Sequence, residues 1–244
     1  MYEIKNKDTV IDLFRGEYAF LSNFYDRNKK FTYKGMSFTN SEAAFQSQKC
    51  LEREKEFVGL KPSESKKLGR KVLLRDDWNE VRNDVMYDVC KAKFTQDHQL
   101  LLNLLLTGDR ELVEGKHHDD YWGMVWKGGK WVGENNLGIV LMKLRDDLKK
   151  ELGLEDVEVP CDTTCIKTTS YATYAYMPES HSRFYNMLNN CLRCEHSDAC
   201  EITHYIEAVY IALHPEEKAK RDKAEASMKE MVDNIINKVN KDEF

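Results

Sequence analysis

Apolar positions recur at helical spacing along much of the first 150 residues. In "DDWNEVRNDVMYDVCKAKF" (76–94), Val81, Val85, Val89 and Ala92 return to one face, which predicts a helix opened by an Asp77–Glu80 capping box. "DHQLLLNLLL" (97–106) predicts a buried helix ended by "TGD", and "NLGIVLMKLRDDLKKEL" (136–152) an amphipathic one. Pro62 and Ser63 mark a fresh helix start ahead of "SESKKLGRKVLL". Alternation around Gly35 in "FTYKGMSF" (31–38) predicts a strand or hairpin arm, and "RELVEG" (110–115) reads as a short strand. The aromatic-rich "FRGEYAFLSNFYD" (14–26) reads as a strand entering a loop. "KHHDDYWGMVWKGGKWVGENN" (116–136) has no helical period. Loops of that length are uncommon unless functional or disordered, and its aromatics argue against disorder.

One helix carries polar chemistry. In "TNSEAAFQSQK" (39–49), running on into "LEREKEFVGL", Glu42, Gln46 and Lys49 fall on one face, opposite the small residues Ala43, Ala44 and Ser47. Spacing alone fits two arrangements: a solvated face with a Thr39–Glu42 capping box, or a pocket lined by the three polar groups.

Composition then narrows the class. A hydrophobic share of 41% with 11% aromatic residues suffices for a real core and excludes wholesale disorder. No apolar run approaches the roughly 18–20 residues that span a bilayer, and "MYEIKNKDTV" lacks the apolar region of a signal peptide; a cytoplasmic protein with no membrane partner is expected. Residues 1–150 hold 27 Lys and Arg against 24 Asp and Glu, and residues 151–244 hold 10 against 18. Neither part is basic enough to imply nucleic-acid binding by charge alone. Composition shifts toward Thr, Tyr and Cys after "GLEDVEVP", so two units are expected: residues 1–153, and an acidic, Cys-rich, largely helical extension over 154–244, with helices at 183–213 and 216–240 split by Pro215. Cys50 and Cys90 sit singly in helical contexts and read as buried small hydrophobes. In "CLRCEHSDAC", Cys191 and Cys194 have a spacing that suits zinc; Cys200 and His204 follow, with Cys161, Cys165 and His196 as further candidates. A structural zinc and simple packing cysteines both fit this pattern.

The first unit resembles the NADAR superfamily, which includes the YbiA-type N-glycosidases. The resemblance is carried by "FLSNFY" (20–25), "EAAFQSQK" (42–49), "KKLGRKVLLRDDW" (66–78), "VM" (85–86), "KAKF" (91–94), "TGDRELVEG" (107–115), "HDDYWG" (118–123) and "GENNLGIVLMKLR" (133–145), in the family's order. It departs at His117-His118, where relatives often carry an aromatic before His-Asp, and at Ile139, where many have Lys. The resemblance implies an α+β, mainly helical fold with a small sheet and a pocket for a ribosyl nucleotide. It also implies N-glycosidase chemistry with no metal or redox cofactor. Some relatives act on phosphoribosylated riboflavin precursors; others remove ADP-ribose from guanine bases in nucleic acid. Removal of ADP-ribose is the leading expectation here, with the riboflavin precursors second and a non-catalytic ADP-ribose or NAD sensor third. The expected partner is the nucleotide substrate itself, including ADP-ribosylated nucleic acid.

Breaking an N-ribosidic bond builds positive charge on the sugar, so a carboxylate near the anomeric carbon is needed. Glu42, in the central motif, is the first candidate; Asp119, in "HDDYWG", is the second, though a turn would also use it. Lys49 or Lys93 could attack an opened ribose as an amine, or water could displace the base directly with Glu42 as general base. Asn23 and Asn136 are amides able to orient ribose hydroxyls, as is Gln46 beside Glu42. Phe24 and Trp122 can stack on a base or simply fill core. Ser22 and Arg70 are candidates for phosphate, and Gly123 for close approach of backbone to ligand.

Overall fold

A computed structural model describes residues 2–5, 9–26, 29–115, 119–158, 201–220, 222–223 and 226–229. Its architecture is α+β and mainly helical, with two small antiparallel hairpins. Strands β1 (Phe31–Tyr33) and β2 (Met36–Phe38) pair with Phe31 opposite Phe38. Lys34 and Gly35 between them both have left-handed backbone, with φ of 47° and 77°, the geometry that a two-residue turn needs to match strand twist. Phe31, Tyr33 and Phe38 point into the core.

Helix α1 (Ser41–Ser47) lies at the centre, with all seven residues buried. Its cap is Asn40, whose side chain accepts from the Ala43 amide at 2.8 Å and donates to the Leu60 carbonyl at 3.0 Å. The expected Thr39–Glu42 capping box is therefore replaced by Asn40, one residue on. The chain beyond does not continue as an α-helix. Cys50 is extended, and Leu51–Phe57 form a 3-10 segment anchored by the fully buried Phe57.

Helix α2 (Pro62–Gly69) starts on Pro62, and the Glu64 carboxylate accepts from the Lys61 amide at 2.9 Å. Helix α3 (Trp78–Thr95) is the longest, but Asp77 makes no side-chain cap at its start. Arg75 holds that carboxylate instead, through Nη2 at 2.7 Å. Helix α4 (His98–Leu105) is capped by Asp97, and α5 (Asn136–Glu151) follows the second hairpin.

That hairpin corrects the reading of residues 116–136 as a long loop. Strands β3 (Met124–Lys127) and β4 (Lys130–Gly133) pair Trp126 with Trp131 around Gly128 and Gly129, both with positive φ. Two other strand expectations are also corrected. Residues 110–115 make only isolated bridges, Ile11 to Leu112 and Gly115 to Met124. Within 14–26 the chain forms a 3-10 helix, Gly16–Leu21. The Lys93 ammonium donates to the Phe20 and Ser22 carbonyls at 2.6 and 3.2 Å, which ties α3 to the end of that turn.

One hydrophobic cluster joins these elements, and it includes part of the expected C-terminal unit. Helix α6 (Glu201–Leu213) contributes Tyr205, Ile206 and Val209, each almost wholly buried, and His214 meets His98 edge-on at 5.7 Å. The helix breaks at His214, before Pro215, and residues 215–220 are helical again. Among the described residues no helix is long and apolar enough to cross a membrane. Cys161, Cys165, Cys191, Cys194, His196 and Cys200 lie outside the described residues. So does the 183–200 part of the expected helix.

Candidate active site

Helix α1 is buried because its neighbours press on both sides. Its small residues admit other elements, and Gly69 at the end of α2 runs so close that a side chain there would overlap the Gln46 amide. Against the α1 face that carries Glu42 and Gln46, and the turn beyond it that carries Lys49, opens a cavity of about 230 Å³. The solvated-face alternative therefore fails for the first two, since Glu42 is 6% exposed and Gln46 5%. Gln46 Nε2 donates to Glu42 Oε1 at 2.8 Å, which fixes the carboxylate's orientation; the Glu42 amide donates to the Asn23 carbonyl at 3.0 Å.

Aromatic rings form one wall. Phe45 meets Trp78 at 5.1 Å and Trp122 at 5.2 Å between ring centroids, and Trp122 meets Tyr121 at 5.0 Å. The Lys49 ammonium stands 5.8 Å from the Trp78 ring. Burial pushes the Lys49 amine below the ordinary lysine range. The Glu42 charge opposes that shift, while Lys66 and Arg70 reinforce it. Asp119 sits where the chain turns into the hairpin. Its Oδ1 accepts from the Trp122 amide at 2.9 Å, and its Oδ2 lies 3.8 Å from the Lys66 ammonium.

Side chains that line the cavity carry buried polar atoms without partners. Among the described residues Asn23 Oδ1 and Arg82 Nε bond nothing; neither does Gln46 Oε1, which packs against Gly69 of α2. Buried polar groups are costly to leave unpaired, so such atoms around a cavity point to a polar ligand. The Asn23 assignment follows from Nδ2 facing Met86 Sδ at 3.2 Å.

Glu42, Lys49, Asp119, Asn23, Gln46 and Trp122 line this cavity together. Six other candidates fall elsewhere. Lys93 is 4% exposed, bound to the Phe20 and Ser22 carbonyls, and borders a separate small cavity beside Asp97. Ser22 and Phe24 border an open groove with Arg15 and Glu114, and Arg70 caps the end of α2. Gly123 serves protein packing, because a Cβ there would overlap the Glu114 carbonyl and lie 3.1 Å from its Cγ. Asn136 donates to the Tyr121 carbonyl at 2.9 Å, while its neighbour Asn135, fully buried with φ of 52°, bridges the Glu114 amide and the Leu112 carbonyl. His204 is exposed; among the described residues no group of three or more His, Cys, Asp or Glu is placed to hold a metal.

Sequence reasoning missed Lys66, Arg82 and Tyr121, and the floor made by Phe45, Trp78 and Met86. A signal existed: Trp78, Arg82 and Met86 are spaced four apart, one stripe of α3.

The NADAR domain family model matches residues 13–149, and the chain belongs to that family. It is 36% identical over 152 residues to the N-glycosidase YbiA of Shigella flexneri serotype 5b (strain 8401), covering 59% of this chain and 92% of that protein. It is 35% identical over 138 residues to the riboflavin biosynthesis protein VVA0006 of Vibrio vulnificus (strain YJ016), covering 54% of this chain and 36% of that one. The NMR structure of the E. coli protein YbiA superposes with a TM-score of 0.52 at 34% identity, over 60% of this chain and 89% of that one. The family model spans every described residue that lines the cavity, from Asn23 to Leu137.

Proposed function

We propose that this cavity hydrolyses the ribosyl–nitrogen bond of ADP-ribose carried on a guanine base, releasing free ADP-ribose. In class the protein is a hydrolase of N-glycosyl bonds, as its family and its similarity to proteins named N-glycosidase indicate. The observation that carries the reading is the buried Glu42 carboxylate, oriented by Gln46, lining the same cavity as Lys49, which lies in the turn just past α1.

At about 230 Å³ the cavity is smaller than the roughly 300–1,000 Å³ of typical drug-sized sites, so it suits the sugar, with the rest of a nucleotide lying toward the mouth. Glu42 faces the positive charge that develops as the base departs. Asn23 Oδ1, a buried acceptor without a partner among the described residues, is the group for a ribose hydroxyl. Asp119, tethered by the Trp122 amide, is a second carboxylate beside that charge, and the departing nitrogen takes its proton from the water or amine that attacks. Two routes share these parts. In one, Glu42 takes a proton from water as it adds to the anomeric carbon. In the other, the Lys49 amine displaces the base at that carbon and gives it a proton; the ring C–O bond of the resulting ribosylamine then opens to an imine as the ring oxygen takes the second amine proton, and water hydrolyses the imine to the sugar aldehyde and the free amine. The lowered affinity of Lys49 for its proton favours the second, and borohydride added during turnover distinguishes them by leaving the sugar attached to Lys49.

A second reading, cleavage of phosphoribosylated riboflavin precursors, is favoured by the similarity to proteins named for riboflavin biosynthesis. Mass spectrometry of wild type and Glu42→Gln, given ADP-ribosylated guanine as mononucleotide and in an oligonucleotide, tests the leading one. Release of ADP-ribose by wild type alone supports it. A folded wild type that spares both substrates but cleaves the riboflavin precursor moves the assignment to the second reading, and a fully active Glu42→Gln removes Glu42 from the chemistry.

A further inference from the structure

We propose that Arg82 is the anion anchor of the cavity and that it selects ribosyl substrates bearing a phosphate over their unphosphorylated counterparts. This rests on the reading above that the site takes a ribosyl–nitrogen substrate. Among the described residues three cations line the cavity, Lys49, Lys66 and Arg82, against two carboxylates, Glu42 and Asp119. Lys66 lies 3.8 Å from Asp119, and Glu42 is the foremost charge that favours the protonated form of Lys49. Arg82 has no ion pair among the described residues, so it is the cation in excess.

Its geometry suits an anion. The guanidinium carbon stands 3.7 Å from the centroid of the Tyr121 ring, and the Tyr121 hydroxyl donates to Asn83 Oδ1 at 2.8 Å, which braces the ring from the next residue of α3. One face of the guanidinium is thus occupied, and no hydrogen bond among the described residues engages its N–H edge. Along that edge Nε is buried without a partner. A planar edge of donors held by stacking is the arrangement that binds a phosphate through two parallel hydrogen bonds. A neutral sugar would leave both the surplus charge and the Nε donor uncompensated. A ribosyl phosphate answers both, and a hydroxyl of its sugar meets the acceptor on Asn23.

The test uses the full chain with ribose 5-phosphate as probe, ribose as control, and calorimetric titration of wild type, Arg82→Gln and Arg82→Lys. Wild type is expected to bind ribose 5-phosphate, and Arg82→Gln to lose about 10- to 100-fold in affinity, the range of a hydrogen bond to a charged group. Arg82→Lys should keep part of it, because the charge remains and the planar edge does not. Circular dichroism confirms that the variants are folded. A folded Arg82→Gln that binds ribose 5-phosphate as wild type does overturns the proposal, as does a wild type that prefers ribose or binds neither. Steady-state cleavage of a matched nucleotide and nucleoside then separates the two claims. Arg82-dependent binding without cleavage of any ribosyl–nitrogen bond leaves the anion site standing and removes the N-glycosidase reading. Cleavage of both at equal kcat/KM, unchanged in Arg82→Gln, does the reverse.

Discussion

Replacing Gly69 with alanine should damage the site while sparing the fold. Gly69 closes helix α2 against α1, and a methyl group added there would overlap Gln46 Oε1 and lie 2.7 Å from Cδ. The obstacle is the end of a flexible side chain, so the backbone need not move, but the Gln46 amide must. That amide is the group that holds Glu42 Oε1 at 2.8 Å, and Gln46 is only 5% exposed, with little space to retreat. A hydrogen bond to a carboxylate contributes about 1.5–3 kcal/mol, so its loss should lower kcat/KM by about 10- to 100-fold if Glu42 acts in its fixed orientation. Stability should change less. Alanine improves on glycine in a helix by about 1 kcal/mol, which offsets much of the roughly 1–3 kcal/mol cost of overpacking. The assay pairs thermal unfolding with turnover for Gly69→Ala, Gln46→Ala and the double variant. In the Gln46→Ala background the alanine has nothing to displace, so its further cost in kcat/KM should nearly vanish. Wild-type turnover in Gly69→Ala, or an equal loss with and without the Gln46 side chain, would refute the reasoning.

Two further outcomes follow from burial. The Lys49 amine has a folded-state pKa held below its ordinary 10.5, so Lys49 penalises folding at neutral pH, and the penalty is relieved as pH rises from the lowered value toward 10.5. Lys49→Met should therefore be more stable than wild type near pH 7, with the advantage shrinking at alkaline pH; urea unfolding across that range checks it, and a pH-independent difference contradicts it. Ile206 on α6 is fully buried within the common core, so Ile206→Ala should cost about 2–5 kcal/mol in the unfolding of the whole molecule. Unchanged unfolding of the catalytic part in denaturant would mean that α6 contributes nothing to it.

What the sequence by itself determined are features whose free energy is local. Lys34-Gly35 sets a hairpin because that turn needs left-handed backbone, and Pro62 opens α2 because its ring presets the first helical angle and its missing amide proton costs nothing there. The apolar stripes over 76–94, 97–106 and 136–152 gave helices within a few residues of their observed bounds. "VWKGGKWV" also carried a readable hairpin, obscured by its place in a polar, aromatic stretch.

Only the tertiary structure decided what depends on neighbours distant in the chain. Whether Glu42 and Gln46 faced water or a cavity turned on Gly69 and on the rings of Trp78 and Trp122, residues tens of positions away. Lys93 and Lys49 both read as amines inside motifs. Lys93 is bound to the Phe20 and Ser22 carbonyls at the end of the 3-10 turn, which the fold brings beside α3, while Lys49 faces the cavity. Asn135, not Asn136, became the buried clamp, since its left-handed backbone aims its amide at Leu112 and Glu114. Arg82 carried no mark along the chain beyond its spacing from Trp78 and Met86. Its character as the surplus cation arises only when the fold gathers two carboxylates, two lysines and one arginine around a single cavity.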